Sequence, residues 1–517
     1  MNGQQQQQQP LETVLAQMAL RLRGFVIKVG VPDGVDNEEG EEEEDDDNVN
    51  DGAEVEERTL WRRVRTLVEF GLAADVRLVQ WLSEMIQRLL DGGGPSRAKV
   101  IKTIADRLQW RIHRIQSLDK CSSTDASSIA FHSEAEVTAR MDIAGGWTDT
   151  PPITYQCASP PAVLNLSIKV NGKRPIRCRC ARLEAFGGVF YTQTSNGSTE
   201  STLHFVSADS VFACCDQPSK LGSLISSILI VAGIVREELV GGERIRRFAM
   251  TGPGRGLYVS TNSDLPHGSG LGTSSILSGA MLAALWRLFG KSFRQSELIH
   301  AVLRVEQLHT TGGGWQDQIG GCAPGGFKLG TVCPGGKREC QWRTVPIGKS
   351  LQNEMSKRLA LIYTGQTRLA KHLLEEVLLS WLGRDQRILR AVQRLSDGAR
   401  GAEKALLEGK FPSEICREYN ALKKEFTAGT MPSKVAELSR ELTADGVAEA
   451  AWMAGAGGGG FLYVWLREHR TLEELERFLA GDKRWHGMGV WRAEMEEAEP
   501  MTLRRGWTLS VNEFNRL

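Results

Sequence analysis

The sequence predicts an α+β protein with two lobes. Short β-rich runs separated by Gly, Pro and Asn turns begin near Ser128, and longer segments with helical apolar spacing follow them. The two kinds of segment do not alternate strictly, which argues against a repeated βαβ fold. With 517 residues the chain is long enough to form two or three buried cores.

Apolar spacing places the individual elements. Strands are predicted at 135–140, 162–170, 176–181, 189–194, 360–363, 460–466 and 506–511. Helices are predicted at 274–289, 295–309, 370–381 and 387–407.

The N-terminal quarter differs from the rest of the chain in composition. A glutamine homopolymer at 4–9 and an acidic tract at 36–57 contain too few apolar residues to offset the entropy of ordering, so residues 1–58 are predicted to be disordered. The acidic tract is typical of a solvated linker, although an interaction tail remains an alternative. Helical spacing at 60–90 and again at 100–115 predicts a helical preface over 59–127.

Composition narrows the functional class only partly. The chain has 63 acidic and 63 basic residues, but 15 of the acidic residues and none of the basic ones lie at 33–57, so the remainder is positively charged. That charge suits a phosphorylated ligand and would equally suit a nucleic acid. The ten cysteines contain no CxxC pair, no apolar run is long enough to span a bilayer, and the start of the chain does not look like a signal peptide. These features favour a soluble, cytoplasmic protein without a membrane partner.

The strongest local signal is the glycine-rich stretch at 264–275, which runs directly into an apolar helix. Its glycines let the backbone N–H groups approach a ligand, and the helix start that follows favours an anion. A hydroxyl at that start could also reach a Mg²⁺ shared with a phosphate. A capped turn without a ligand explains the same residues.

Three further segments carry candidate chemistry. At 139–152, Arg140 and Asp149 could grip charge and hydroxyls, and Trp147 could offer an apolar face to a sugar ring. At 306–321, Glu306 and Asp317 flank a glycine run that could bring a carboxylate beside a phosphate and let it accept a proton. The glycine run at 454–460 precedes an apolar strand, which favours close backbone approach over a flexible linker. Core packing and solvated turns are the alternatives for each segment.

Together and in this order, the four segments resemble the signature motifs of the GHMP kinase superfamily, and within it the kinase region of L-fucokinases. The likeness runs from about Phe131 to the C-terminus. It implies a two-lobed GHMP kinase fold, with a lobe like ribosomal protein S5 domain 2 at 128–335 and a ferredoxin-like lobe at 336–517. It also implies ATP and Mg²⁺ as cofactors and a monosaccharide as the acceptor, without nucleic acid.

The resemblance assigns a role to each matching residue. Asp317 matches the catalytic aspartate and Arg140 the arginine that keeps it ionised. Glu306 and Ser274 match the metal-binding pair. The implied ATP-binding residues are Pro266, Gly268, Ser269, Gly270, Leu271, Gly272, Thr273, Ser274 and Ser275. The implied sugar-binding residues are Gly146, Trp147, Asp149, Gly457 and Gly458.

Phosphorylation of the anomeric hydroxyl of L-fucose, which would feed GDP-fucose salvage, is the function this resemblance implies. Gly146 and Trp147 stand where galactokinases have a Glu-His pair, which argues against galactose. A heptose-phosphate kinase, whose first motif also has a glycine pair, and a catalytically inactive sugar sensor are the alternatives. Nucleotide-sugar synthesis is not expected, because the residues before 128 are too few for the second domain that animal and plant fucokinases carry, and the gene product could be incomplete.

Overall fold

The computed structural model describes residues 132–504, apart from 151–152, 158, 184–186, 196–197, 216–219, 241–242, 250–255, 310–312, 333–339, 367–372, 374–376, 378–379, 382–384, 427 and 498. The disordered segment predicted at 1–58, the helical preface at 59–127 and the strand at 506–511 lie outside the described residues. So does most of the helix predicted at 370–381.

The strands, labelled in chain order, form two large sheets and one hairpin. They are β1 (His132–Val137), β2 (Ala139–Ala144), β3 (Ala162–Val170), β4 (Ile176–Leu183), β5 (Gly188–Ser195), β6 (Ser198–Phe205), β7 (Val235–Val240), β8 (Glu243–Phe248), β9 (Gly256–Ser263), β10 (Phe327–Val332), β11 (Cys340–Val345), β12 (Leu359–Tyr363), β13 (Ala448–Met453), β14 (Phe461–Leu466), β15 (Gly489–Met495) and β16 (Met501–Arg504).

The helices of the described ranges, numbered in the same way, cover the faces of these sheets. They are α1 (Ile153–Gln156), α2 (Ala208–Cys215), α3 (Ser223–Val231), α4 (Thr273–Leu288), α5 (Gln295–Leu308), α6 (Gln316–Cys322), α7 (Lys349–Arg358), α8 (Gln386–Leu407), α9 (Ser413–Phe426), α10 (Ser433–Ala444) and α11 (Leu472–Ala480). None of them combines the length and the apolar character needed to cross a bilayer.

A six-stranded sheet with the order β16-β1-β4-β9-β5-β6 forms one layer of the fold. Its strand pairs are antiparallel except for β5 and β9, which run parallel. Helix α4 packs across β1 and β4, and α5 packs on α4. The core between them is apolar, with the fully buried residues Ala280 to Leu285 of α4 at its centre.

An eight-stranded sheet forms the other layer, in the order β11-β10-β3-β15-β12-β14-β13, with β2 also paired to β3. Strands from both sides of residue 335 share this sheet, and β16, near the end of the chain, joins the six-stranded one. The division into lobes at 128–335 and 336–517 stays a prediction, and the strands on the two sides of residue 335 are shared between the sheets. Helix α6 packs on β2, β3 and α4, which brings it between the two layers.

The α+β prediction is confirmed, and several elements match closely. The strand predicted at 162–170 is β3, and the helices predicted at 274–289 and 295–309 are α4 and α5 within one residue at each end. The single strand predicted at 135–140 is wrong. The Thr138 N–H donates to the Pro500 carbonyl at 2.9 Å, outside the β2 ladder, and the chain passes there from the six-stranded sheet (β1) to the eight-stranded sheet (β2).

Candidate active site

The glycine-rich turn at 265–272 ends in α4 without a side-chain cap. Gly272 precedes the helix with a φ of 77°, a left-handed conformation that an L side chain rarely adopts. The Ser269 hydroxyl bonds the Thr273 hydroxyl at 2.8 Å and accepts from the Leu271 N–H at 3.2 Å, which fixes the shape of the turn. The first N–H groups of a 16-residue helix therefore follow a locally ordered glycine turn, an arrangement that can bind phosphate.

The glycine run at 454–460 packs directly against this turn. A Cβ placed on Gly455 would lie 2.9 Å from the Gly270 carbonyl oxygen, and one on Gly460 would lie 2.4 Å from the Ser269 carbonyl oxygen. The Phe461 N–H donates to that same Ser269 oxygen at 3.0 Å. The glycines are thus needed for close backbone approach, as the sequence predicted.

Gly457 and Gly458 lie against a different neighbour. The Gly458 N–H donates to the Thr430 carbonyl at 2.7 Å, and a Cβ on Gly457 would lie 2.2 Å from the same oxygen. Packing against Thr430 explains the glycine at 457, and the left-handed φ of 83° explains the one at 458. A role in sugar binding stays a prediction for them.

Arg140 and Asp317 form the central ion pair of the site. Arg140 Nε and Nη2 contact Asp317 Oδ1 at 2.7 and 2.6 Å, and Arg140 Nη1 donates to the Gly270 carbonyl at 2.9 Å. Burial alone would lower the pKa of Arg140, but the carboxylates of Asp317 and Asp142 outweigh it and raise that pKa. A permanently charged arginine therefore holds Asp317, in the first turn of α6, beside the glycine turn, while 22% of the aspartate side chain stays exposed.

Glu306 reaches the same place from the end of α5. The Ser275 hydroxyl donates to Glu306 Oε1 at 2.7 Å and contacts Asp317 Oδ2 at 3.3 Å, so it joins the two carboxylates. Ser274, which the sequence assigned to the metal, is exposed at the start of α4, while Ser275 is buried. The serine that bridges the carboxylates is thus the neighbour of the one predicted to bind metal.

These oxygen ligands fit a Mg²⁺ ion. No cluster of three or more His, Cys, Asp or Glu side chains with metal-binding potential occurs within the described ranges. Mg²⁺ in phosphoryl-transfer sites needs only one or two carboxylates, because waters and phosphate oxygens complete its shell. Glu306, Asp317 and the hydroxyls at 274 and 275 offer that donor set around one end of α4.

Asp149 contacts the start of α6, one residue before Asp317. Its side chain is almost fully buried, and its Oδ2 accepts from the Gln316 N–H at 3.0 Å. A Cβ on Gly314 would lie 1.9 Å from that oxygen, so the glycine lets the two loops meet. Burial raises the pKa of Asp149 to about 7, despite the Gln316 N–H, and the nearby Asp317 charge adds to the increase.

Trp147 and Gly146 pack against other side chains, and their role in sugar binding stays a prediction. Trp147 is 4% exposed and stacks on Phe426 with the ring centroids 5.8 Å apart, so its apolar face is covered by protein. A Cβ on Gly146 would lie 2.2 Å from the Tyr419 hydroxyl. The glycine thus admits a tyrosine, which in turn donates to Asp142.

The sequence reasoning missed a buried polar cluster beneath the site. Asp142, two residues after Arg140 on β2, contacts Tyr419, Lys423 and Tyr463. A lysine and a tyrosine four residues apart on the apolar face of α9 were the available signal, since such groups are seldom buried unless they are paired.

Comparison with known proteins agrees with this geometry. Residues 238–325, which contain the glycine turn, α4, Glu306 and Asp317, match the family model of the GHMP kinases N terminal domain. The bifunctional fucokinase/GDP-fucose pyrophosphorylase of Arabidopsis thaliana is 31% identical over 390 residues, covering 72% of this chain and 34% of that protein. The chain belongs to the GHMP kinase superfamily.

A second relative of this chain is the L-fucokinase/L-fucose-1-P guanylyltransferase of Bacteroides fragilis, 30% identical over 345 residues, covering 66% of the chain and 35% of that protein. The chain spans about a third of the length of both curated relatives. Among solved structures, a D-glycero-D-manno-heptose 1-phosphate kinase from Bacteroides thetaiotaomicron matches with a TM-score of 0.50 and 17% identity, over 73% of this chain and 100% of that one. This last likeness supports the fold alone.

Proposed function

We propose that this GHMP kinase transfers the γ-phosphoryl group of ATP to the anomeric hydroxyl of L-fucose. The observation that carries the proposal is the position of Asp317: Arg140 holds it at 2.6 Å beside the glycine turn, and Ser275 joins it to Glu306. A carboxylate held by an arginine beside a phosphate-binding helix start is suited to accept a hydroxyl proton during phosphoryl transfer.

The triphosphate would bind the N–H groups of the glycine turn and of the first turn of α4. Glu306 and the hydroxyls of Ser274 and Ser275 would hold Mg²⁺, which neutralises charge on the phosphates when it is bound. Arg140 cannot serve as a proton acceptor because it stays protonated, so its role is to orient Asp317 and the Gly270 carbonyl.

The reaction itself is an in-line displacement. The proton of the sugar O1 hydroxyl passes to the Asp317 carboxylate while O1 forms a bond to the γ-phosphorus. The bond between that phosphorus and the bridging oxygen of ADP breaks, and its electron pair leaves with ADP. Asp149 accepts a hydrogen bond from the N–H of Gln316, the residue before Asp317, so the two aspartates are close together. Asp149 would accept hydrogen bonds from the sugar hydroxyls.

The choice of L-fucose is supported by the printed activities of the two curated relatives, both about 30% identical over roughly two thirds of this chain. Both names also include formation of a GDP-sugar, so the proposed product, L-fucose 1-phosphate, suits a nucleotidyl transfer that follows. Because the chain spans about a third of each relative, that second activity is not proposed for the residues described.

A substrate panel tests the proposal. The purified chain is incubated with ATP, Mg²⁺ and, in parallel, L-fucose, D-galactose, D-mannose and a heptose 7-phosphate, and both ADP and the phosphorylated sugar are measured. We expect L-fucose to give the highest kcat/KM and a product phosphorylated at O1. Preference for the heptose phosphate would make the chain a heptose-phosphate kinase. Sugar binding without ADP release would make it an inactive sensor.

A further inference from the structure

Asp142 is a fully buried carboxylate that accepts five hydrogen bonds. Its Oδ1 accepts from Arg140 Nη1 at 2.8 Å, the Gly455 N–H at 2.9 Å and the Tyr463 hydroxyl at 3.0 Å. Its Oδ2 accepts from the Tyr419 hydroxyl at 2.7 Å and Lys423 Nζ at 3.0 Å. Both oxygens are therefore saturated by donors, and no lone pair is left for a ligand.

The donors come from separate parts of the fold. Arg140 lies on β2 with Asp142 itself, Tyr419 and Lys423 on α9, Tyr463 on β14, and Gly455 in the glycine run before β14. Lys423 Nζ also donates to the Met453 carbonyl at 2.7 Å, at the end of β13. Asp142 thus connects β2, which carries Arg140, to α9, to β14 and to the glycine run that packs against the glycine turn.

The charges in this cluster are balanced only as a group. Burial alone would raise the pKa of Asp142, but Lys423 and Arg140 outweigh it and lower that pKa, so the carboxylate stays ionised. Arg140 and Lys423 are two buried cations, and Asp142 lies between them while Asp317 pairs with the far side of Arg140. Without Asp142, Arg140 would keep Asp317 as its carboxylate partner, and Lys423 would have no ion-pair partner among the described contacts. Leaving a buried cation unpaired has a large cost in free energy.

We propose that Asp142 is a positioning residue that sets the geometry of phosphoryl transfer through Arg140 and Gly455. Arg140 bonds Asp142, Asp317 and the Gly270 carbonyl at once, so its orientation fixes the carboxylate relative to the phosphate-binding turn. The Gly455 N–H bond fixes the neighbouring glycine run against that turn. The role of Asp142 rests on the proposed function, since it acts through the residue assigned as the base.

Kinetics of Asp142→Asn test this role. The substitution keeps the shape and removes the charge, so Arg140 loses an ionic partner without a cavity being formed. We expect kcat to fall by about 10- to 100-fold, the cost of misplacing reacting groups by roughly 1 Å, while KM for ATP and for the sugar changes less than about threefold. In an Arg140→Lys background, adding Asp142→Asn should lower kcat by less than about a further threefold. The contact between Asp142 and the Arg140 guanidinium is already lost in that background, so Asp142 can no longer act through it.

Tyr463→Phe is the milder variant, should Asp142→Asn fold poorly. It removes one hydroxyl that bonds Asp142 and lies 3.3 Å from Arg140 Nη1. Tyr191→Phe is its matched control, because it removes another buried hydroxyl bond, to Thr261 at 3.0 Å, within the six-stranded sheet. We expect Tyr463→Phe to lower kcat by about 3- to 10-fold and Tyr191→Phe to leave it within about twofold, at comparable thermal stability.

Amide hydrogen exchange provides a readout that does not need the sugar. Exchange over 455–461 should become at least tenfold faster in Asp142→Asn and stay unchanged in Tyr191→Phe. Wild-type kcat in Asp142→Asn, an undiminished effect of that change in the Arg140→Lys background, or unchanged exchange over 455–461 would each overturn the positioning role. A wild-type chain that phosphorylates no sugar would instead refute the proposed function, and the exchange measurement would still show whether Asp142 orders the backbone at 455–461.

Discussion

Gly272 and Asp317 lie almost in contact at the starts of two different helices. A Cβ on Gly272 would be 3.1 Å from Asp317 Cγ and equally close to Arg140 Cγ. A Cβ at 272 would thus be closer to both side chains than ordinary van der Waals contact, so any side chain there requires the carboxylate, the arginine or the glycine turn to shift.

Gly272→Ala is expected to lower kcat by about 10-fold, because the added methyl group requires its neighbours to move by a few tenths of an ångström, and a displacement of about 1 Å at a reacting group costs about 100-fold. The control is Gly409→Ala, since Gly409 has a φ of 79° but a Cβ there would meet nothing within 4 Å. Both changes impose a similar backbone strain of about 1–2 kcal/mol, seen as a lower unfolding midpoint. If the two variants lost activity equally, strain and not contact with Asp317 would be the cause.

The pKa of Asp149, raised to about 7 by burial, predicts a pH dependence of sugar use. If the ionised form receives the sugar hydroxyls, the ionised fraction and hence kcat/KM for the sugar should rise about tenfold from pH 6 to pH 8. Steady-state kinetics at saturating ATP measures this directly. A kcat/KM for sugar that is flat across this range would contradict the assignment of Asp149 as a sugar ligand.

The same pKa predicts a change in stability with the opposite sign from that of a carboxylate whose pKa is lowered by folding. Asp149 titrates near 7 in the folded state against 3.8 as its ordinary value, so the folded protein binds more protons between these pH values. The free energy of unfolding due to this group therefore falls as the pH rises from about 4 to 7. Asp149→Asn, which keeps an acceptor for the Gln316 N–H, should be more stable than the wild type at pH 8 and not at pH 4. Equal unfolding midpoints at pH 8 would argue that the carboxyl is not buried.

Glu306→Gln is expected to raise the Mg²⁺ concentration for half-maximal activity by about tenfold or more, because even outer ligands of a metal contribute 10- to 100-fold to affinity. The hydroxyl of Ser275 can still donate to the amide oxygen, so the fold should be kept. Titration of activity with Mg²⁺ at saturating ATP gives the constant. Ser274→Ala and Ser275→Ala, titrated in parallel, identify which hydroxyl joins Glu306 at the metal.

The segments that the sequence singled out lie together in the structure: the glycine turn, Arg140, Glu306 and Asp317 all surround the start of α4. Each segment could be recognised because its glycines and helix start are neighbours in the sequence, but the roles of its residues came from the family resemblance and stay predictions. The strand at 162–170 could also be predicted from the sequence, because turn residues flank its apolar run on both sides.

Asp142 and Lys423 show what the sequence could not reveal. They are far apart in the chain, and the residues next to each of them do not indicate a partner. Only the packing of β2, α9 and β14 brings them together. Trp147 shows a related limit: its chemistry suits either a sugar or a core, and only the structure reveals that it stacks on Phe426. The composition of a short segment does not show which of its faces a helix from a distant part of the chain will cover.

The turnover of Asp317→Asn with ATP and L-fucose tests the central claim most directly. The amide keeps the shape of the side chain and can still accept from Arg140, but it cannot take the proton of the acceptor hydroxyl. We predict that kcat falls by about two to four decades, the usual contribution of a positioned base, while KM for ATP changes little. An Asp317→Asn enzyme that turns over L-fucose at the wild-type rate would contradict the claim that Asp317 is the base.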